Sequence, residues 1–156
     1  MGETAEDKLK AQGITLPQPA APAANYVGVV RTGNLLFTAG QLPFVEGKLL
    51  ATGLLGRDLD IAAGREAARM CAVNVLAQAK SAIGDLDRIA RIVKLTVFVA
   101  SMPDFTDQPA VANGASDLLV AVFGNKGRHA RSAVGMAALP LNAPVEVEAV
   151  IEVADA

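Results

Sequence analysis

Val145-Glu146-Val147-Glu148-Ala149-Val150-Ile151-Glu152-Val153 alternates in character almost residue by residue. A period of two is that of a β-strand, whose side chains point to opposite faces in turn. Val145, Val147, Ala149, Ile151 and Val153 therefore share one face, and Glu146, Glu148 and Glu152 the other. Three carboxylates on one side of an apolar strand admit two explanations. They mark a solvated edge strand whose charges discourage aggregation, or at least one is an acid/base group placed in a cleft.

Upstream, Arg131 to Ala137 is a further strand, joined to the last by Ala138-Leu139-Pro140-Leu141-Asn142-Ala143-Pro144. So short a connection implies that the chain reverses, making the final two strands antiparallel whether or not they are neighbours. Ile89 to Ala100 is the central strand, with Val93, Leu95, Val97 and Val99 on one face and Lys94, Thr96 and Phe98 on the other. Before it, Asp60 to Ile83 is a long helix, with Ile61, Ala68, Ala72, Val75, Leu76, Ala79 and Ile83 on one stripe. Arg65, Glu66, Arg69 and Gln78 lie off that stripe, and Gly84 stops the helix. A second helix runs from about Asp107 to Phe123. Tyr26 to Arg31 and Leu35 to Ala39 are strands joined at Thr32-Gly33-Asn34, and a turn at Glu46-Gly47-Lys48 leads into a short third strand. Residues 1–24 form an N-terminal extension: a short helix from Thr4 to Gln12, then the Pro/Ala stretch Leu16 to Ala24. Pro17, Pro19 and Pro22 make that stretch an extended arm over a surface or a mobile linker. The order is βββαβαββ: a single α+β domain spanning 1–156, one mixed sheet backed by two helices on one face.

At 156 residues, with 52% hydrophobic and 19% charged side chains, the chain can bury one core and is not a disordered segment. Its mean hydropathy of +0.36 is high for a small protein, so a membrane or a partner subunit should cover the excess. No run approaches the roughly 20 apolar residues of a membrane span, which leaves self-association. A net charge of −2 and scattered Lys and Arg argue against nucleic acid. One cysteine, Cys71, excludes an internal disulfide and suits a reducing compartment. With His129 as the one histidine, the usual ligands of a structural zinc site are lacking. The N-terminus has neither the basic start nor the apolar stretch of a signal peptide, so a cytoplasmic location is expected.

Arg131 begins its strand either as an exposed cation or as a bidentate grip for a carboxylate. His129 sits in a basic loop with Lys126 and Arg128, where a surface position is expected over a proton carrier. Cys71, among apolar helix positions, is expected to be buried and structural. No phosphate-cradling loop, nucleotide fingerprint or hydrolase elbow occurs.

Ala130-Arg131-Ser132, Leu139-Pro140 and Val145-Glu146-Val147-Glu148 together resemble the C-terminal signature of the RidA (YjgF) family, with Arg131 fifteen residues before Glu146. Asn25-Tyr26, Ala39-Gly40-Gln41-Leu42-Pro43 and Val93 to Val99 match further segments. The resemblance implies a chorismate-mutase-like α+β fold, a homotrimer with ligand clefts between subunits, and no cofactor or metal. It also implies deamination of 2-imino or enamine acids, releasing ammonia and a 2-oxo acid. In that family the arginine matched by Arg131 grips the substrate carboxylate, and the glutamate matched by Glu146 handles water and protons. The tyrosine matched by Tyr26 lines the cleft, and backbone groups near Gly40 and Ala133 hold the ligand. The cleft asparagine falls on Asn113, or its place on Ser116.

Two positions depart from the pattern: Ala39 replaces a serine or threonine, and Ala133 replaces a cysteine. The N-terminal extension and a longer 104–124 segment set the chain apart as a divergent subgroup. A carboxylate-binding protein without turnover is the alternative function. An endoribonuclease is disfavoured by the acidic balance and the scarcity of aromatics. Spacing adds an expectation of its own. If residues near Ala137 lie level with Glu146, Arg131 is about six residues further along, on the order of 20 Å away. A site using both must then draw them from different subunits.

Overall fold

The computed structural model describes residues 2–155. In chain order the elements are α1 (Ala5–Ala11), β1 (Val29–Thr32), β2 (Leu35–Thr38), β3 (Phe44–Val45), β4 (Lys48–Leu49), α2 (Ile61–Ile83), β5 (Ile89–Ala100), α3 (Gln108–Phe123), β6 (Ala130–Met136) and β7 (Val145–Val153). Five strands form one sheet in the order β1-β2-β7-β5-β6, in which β5 and β6 run parallel and the other pairs antiparallel. The expected third strand is not in this sheet. Glu46 and Gly47 both adopt positive φ (50° and 80°), so the chain doubles back at once and β3 and β4 pair only with each other.

Both long helices pack on one face of the sheet. Asp60 caps α2 by accepting the Ala63 N–H at 2.8 Å, and Gly84 follows the helix at φ 81°. The predicted stripe is buried from Ala68 to Ile83, but burial also extends to Cys71, Val73, Asn74, Ala77 and Gln78. Gln78, expected off the stripe, is covered because the N-terminal arm crosses the helix there. α3 approaches α2 so closely that a Cβ at Gly114 would overlap the carbonyl oxygen of Arg65. Leu95, Val97 and Val99 of β5 are fully buried against the helices, whereas Val93, expected with them, is 36% exposed. The register shifts between Ile92 and Lys94, and this bulge gives the core position to Ile92 instead.

The N-terminal extension is anchored. Thr4 caps α1 by accepting the Asp7 N–H at 3.0 Å, Leu9 and Ile14 enter the core, and Leu16 packs against it. Beyond them Gln78 donates to the Ala20 carbonyl at 3.2 Å, so the arm lies over a surface as the first of its two expected forms. The chain remains part of this arm through Gly28, where the Gln78 carboxamide fills the place of a Cβ. β1 consequently starts at Val29, and Tyr26 precedes the sheet. The face away from the helices carries Val30, Phe37 and Val134, each at least 40% exposed. Among the described residues no helix is long and apolar enough to cross a membrane.

Candidate functional site

Two groups of the anticipated residues are assembled, and within one chain they lie apart. The first is at the edge strand β6. Arg131 pairs with Leu95 across the parallel β5/β6 ladder and so shares the helix-covered face, where its guanidinium meets α3. One terminal nitrogen, Nη1, donates to Asn113 Oδ1 at 2.8 Å and to Ser116 Oγ at 3.1 Å. The Arg131 side chain forms no other hydrogen bond or ion pair among the described residues, so Nη2 and Nε have no protein partner there. Both residues on which the family's cleft asparagine could fall thus hold the arginine. Ala133 lies two residues on, on the same side of β6, packed against the core.

Behind this group is a directed chain of hydrogen bonds. His129 Nδ1 is 2.6 Å from the Gly127 carbonyl, which can only accept, so Nδ1 carries the proton. Burial holds the His129 pKa below its ordinary value, and the Arg131 charge adds to the effect. The neutral ring then accepts at Nε2 from Ser116 Oγ, 2.9 Å away, and Ser116 in turn accepts from Arg131. The expected surface position of His129 is corrected accordingly: the ring is half-buried and both nitrogens are engaged, because the loop turns inward at the buried Gly127.

The second group surrounds Glu146. Phe98 pairs with Glu146 in β7 and with Val134 in β6, so Glu146 stands on the face that the helices leave uncovered. Its carboxylate occupies the space that a Cβ at Gly40 would take. Burial pushes the Glu146 pKa up, and the charge of Glu148 adds to the shift. Gly40 also lines a cavity of about 750 Å³, and Tyr26 is placed in the wall of that cavity. It is enclosed by the arm from Pro17 to Ala23, the segment from Ala39 to Phe44, and Asn74 and Gln78 of α2. Asn74 and Gln78 were not anticipated, although two carboxamides four residues apart in the apolar run Cys71 to Ala79 fall on one helical face. Cys71 is buried beneath, its thiol pKa raised well up by desolvation, 3.5 Å from the Val145 carbonyl.

The sequence-based level of the two strands needs correction. Val134, not Ala137, is level with Glu146, because the connection takes up residues in a helical turn at Pro140–Asn142, with Leu141 and Asn142 at positive φ. Arg131 is therefore three residues along rather than six. It is also across the intervening β5, so the Cα atoms are on the order of 14 Å apart and the side chains point to opposite faces.

Residues 6–153 match the family described as "YjgF/chorismate mutase-like, putative endoribonuclease". The chain is 54% identical over 145 residues to protein TCP17 of Trypanosoma cruzi, covering 92% of this chain and 91% of the relative. It is 33% identical over 138 residues to the 2-iminobutanoate/2-iminopropanoate deaminase of Salmonella typhimurium, covering 87% and 94%. Among solved structures, protein Atu1372 of Agrobacterium tumefaciens, of unknown function, shares the fold with a TM-score of 0.91 at 53% identity, over 96% of this chain and 92% of that one.

Proposed function

The chain belongs to the YjgF (RidA) family, and from that footing we propose that it hydrolyses 2-imino or enamine acids in a cleft completed by a second subunit of a homotrimer. The observation that carries this reading is the fixed guanidinium of Arg131, held at Nη1 by Asn113 and Ser116 with the rest of its fork free. An arginine so restrained loses little further freedom on gripping a carboxylate. Glu146 supplies the complementary chemistry. A carboxyl group whose pKa is raised toward neutrality can both accept and return a proton.

In the reaction, water adds to C2 of the bound imine, with Glu146 taking one of its protons as the C–O bond forms. Glu146 returns that proton to nitrogen, giving the carbinolamine, then takes the hydroxyl proton and delivers it to nitrogen as the C–N bond breaks and the C=O bond forms, so that ammonia and the 2-oxo acid leave. The balance is one imine and one water giving one ammonia and one oxo acid, with no redox change and no cofactor called upon. Holding the carboxylate beside the acid/base group supplies the acceleration. The trimer is supported by the apolar side chains Val30, Phe37 and Val134 on the uncovered face. The lone cysteine, buried as a thiol, supports a reducing compartment such as the cytoplasm.

Ala39 and Ala133 favour a second reading, a protein that binds small 2-oxo or 2-imino carboxylates without turning them over, since neither offers a side-chain polar group. Ammonia release from 2-imino acids generated in situ separates the two. Acceleration above the spontaneous rate that disappears in Arg131→Ala is expected for the deaminase. Carboxylate binding with no acceleration would leave only the binding protein.

A further inference from the structure

The cavity beside Gly40 is larger than a three- or four-carbon acid requires. Its volume of about 750 Å³ is within the range of pockets that enclose a drug-sized ligand. Pro17, Ala20, Ala21, Leu42, Phe44 and Leu141 supply much of its wall, and the buried carboxamides have their donors already engaged. Asn74 Nδ2 donates to the Leu42 and Phe44 carbonyls at 2.9 and 3.2 Å. Gln78 Nε2 donates to the Ala20 carbonyl at 3.2 Å and to Gln41 Oε1 at 3.4 Å. These bonds tie the arm and the 42–44 segment to α2, so the chamber is built before any ligand arrives. A carboxylate, Glu46, lines the rim from an exposed position.

Gly40 is the link between the two: it lines the chamber and abuts the Glu146 carboxylate. A 2-imino acid with C2 beside Glu146 would have its side chain directed past Gly40. We propose that the chamber receives that side chain, and that the protein selects 2-imino or 2-oxo acids bearing long branched or aromatic groups over those bearing a methyl or ethyl group. The selecting wall is the N-terminal arm. A methyl side chain would leave the apolar walls in contact with water, whereas a larger one removes that surface from it.

This inference rests on the proposed placement of the carboxylate at Arg131, and its test reads binding so that it stands apart from turnover. Isothermal calorimetry on the full chain, as it assembles in solution, compares pyruvate, 4-methyl-2-oxopentanoate and phenylpyruvate. The wild type should bind one of the two larger acids at least about tenfold more tightly than pyruvate, as expected for extra buried methylene groups. Ala21→Trp, which places a large ring on an exposed arm position lining the chamber, should lose most of that ratio, with circular dichroism verifying its fold. Equal affinities, a preference for pyruvate, no binding of any acid, or a preference that survives in Ala21→Trp would overturn the proposal. Size-selective binding without ammonia release would overturn the deaminase reading alone. Deamination of alanine- and leucine-derived imines at equal kcat/KM would overturn the chamber alone.

Discussion

Arg131 and Glu146 lie on opposite faces of one sheet, on strands separated by β5: Arg131 is level with the buried Leu95, and Glu146 with Phe98 on the uncovered face. No side-chain rotation brings two such residues to one small molecule. Each nonetheless has the surroundings its proposed role needs, a fixed fork for Arg131 and a desolvated carboxyl pocket for Glu146. In the proposed homotrimer, the β6 edge of one copy would meet the Gly40 side of another to join the two groups.

For Arg131, geometry should matter as well as charge. Arg131→Lys keeps the cation but loses the planar fork and one or both bonds to Asn113 and Ser116. Calorimetry with a 2-oxo acid should show binding weakened about tenfold or more, the loss of one charge-assisted hydrogen bond or better. Arg131→Ala should bind more weakly still. Wild-type affinity in Arg131→Ala would remove the arginine from the site.

Glu146 should leave a mark on stability as well as on rate. Its pKa is raised in the folded chain, chiefly by burial, so the folded state holds the proton more tightly than the unfolded state. The stability this contributes is complete below the unfolded value, roughly pH 4.3, and is lost as pH rises toward the folded one. Glu146→Gln should therefore lack that decline. Its denaturation midpoint at pH 7 should equal or exceed that of the wild type, while ammonia release falls about a hundredfold or more. A midpoint well below wild type at pH 7 would contradict the burial cost.

Two glycines should separate fold from function. Gly114→Ala sets a methyl group against the Arg65 backbone carbonyl, which has no rotamer to escape into. A loss of about 1–3 kcal/mol is expected by urea denaturation. At Gly40 the obstacle is the end of the Glu146 side chain, which can swing away. Gly40→Ala should stay within about 0.5 kcal/mol of wild type and lose deamination, because the displaced carboxylate no longer faces the reacting carbon. The reverse pattern would mean that neither close approach has the role given to it.

The periodicities of β5, β7 and the two long helices were legible because each element buries one face, and a buried face leaves its period in the sequence. The bulge at Val93 was not, since an extra residue within an apolar run leaves the composition unchanged. The ribbon of β3 and β4 was concealed because the turn at Glu46-Gly47 serves a sheet strand or an isolated hairpin equally well. Of the candidate site, Arg131, Glu146, Tyr26 and Gly40 were singled out by motif and spacing. The partners of Arg131 were half visible: Asn113 and Ser116 were alternatives for the cleft asparagine, and both bond the arginine. The Ser116–His129 chain depends on the inward turn of a loop. The chamber depends on where the arm lies, which its proline-rich composition leaves open between surface and solvent.

The most direct measurement of the shared site mixes two defective proteins. Arg131→Ala and Glu146→Gln are each purified, unfolded, combined in equal amounts and refolded together, and ammonia release from 2-imino acids is measured. If each site takes Arg131 from one subunit and Glu146 from the next, random assembly leaves about a quarter of the sites with both native residues. The mixture should then recover about a quarter of wild-type activity, although each variant refolded alone stays near the spontaneous rate. A mixture no more active than its components, with wild type recovering normally under the same treatment, would contradict the shared cleft.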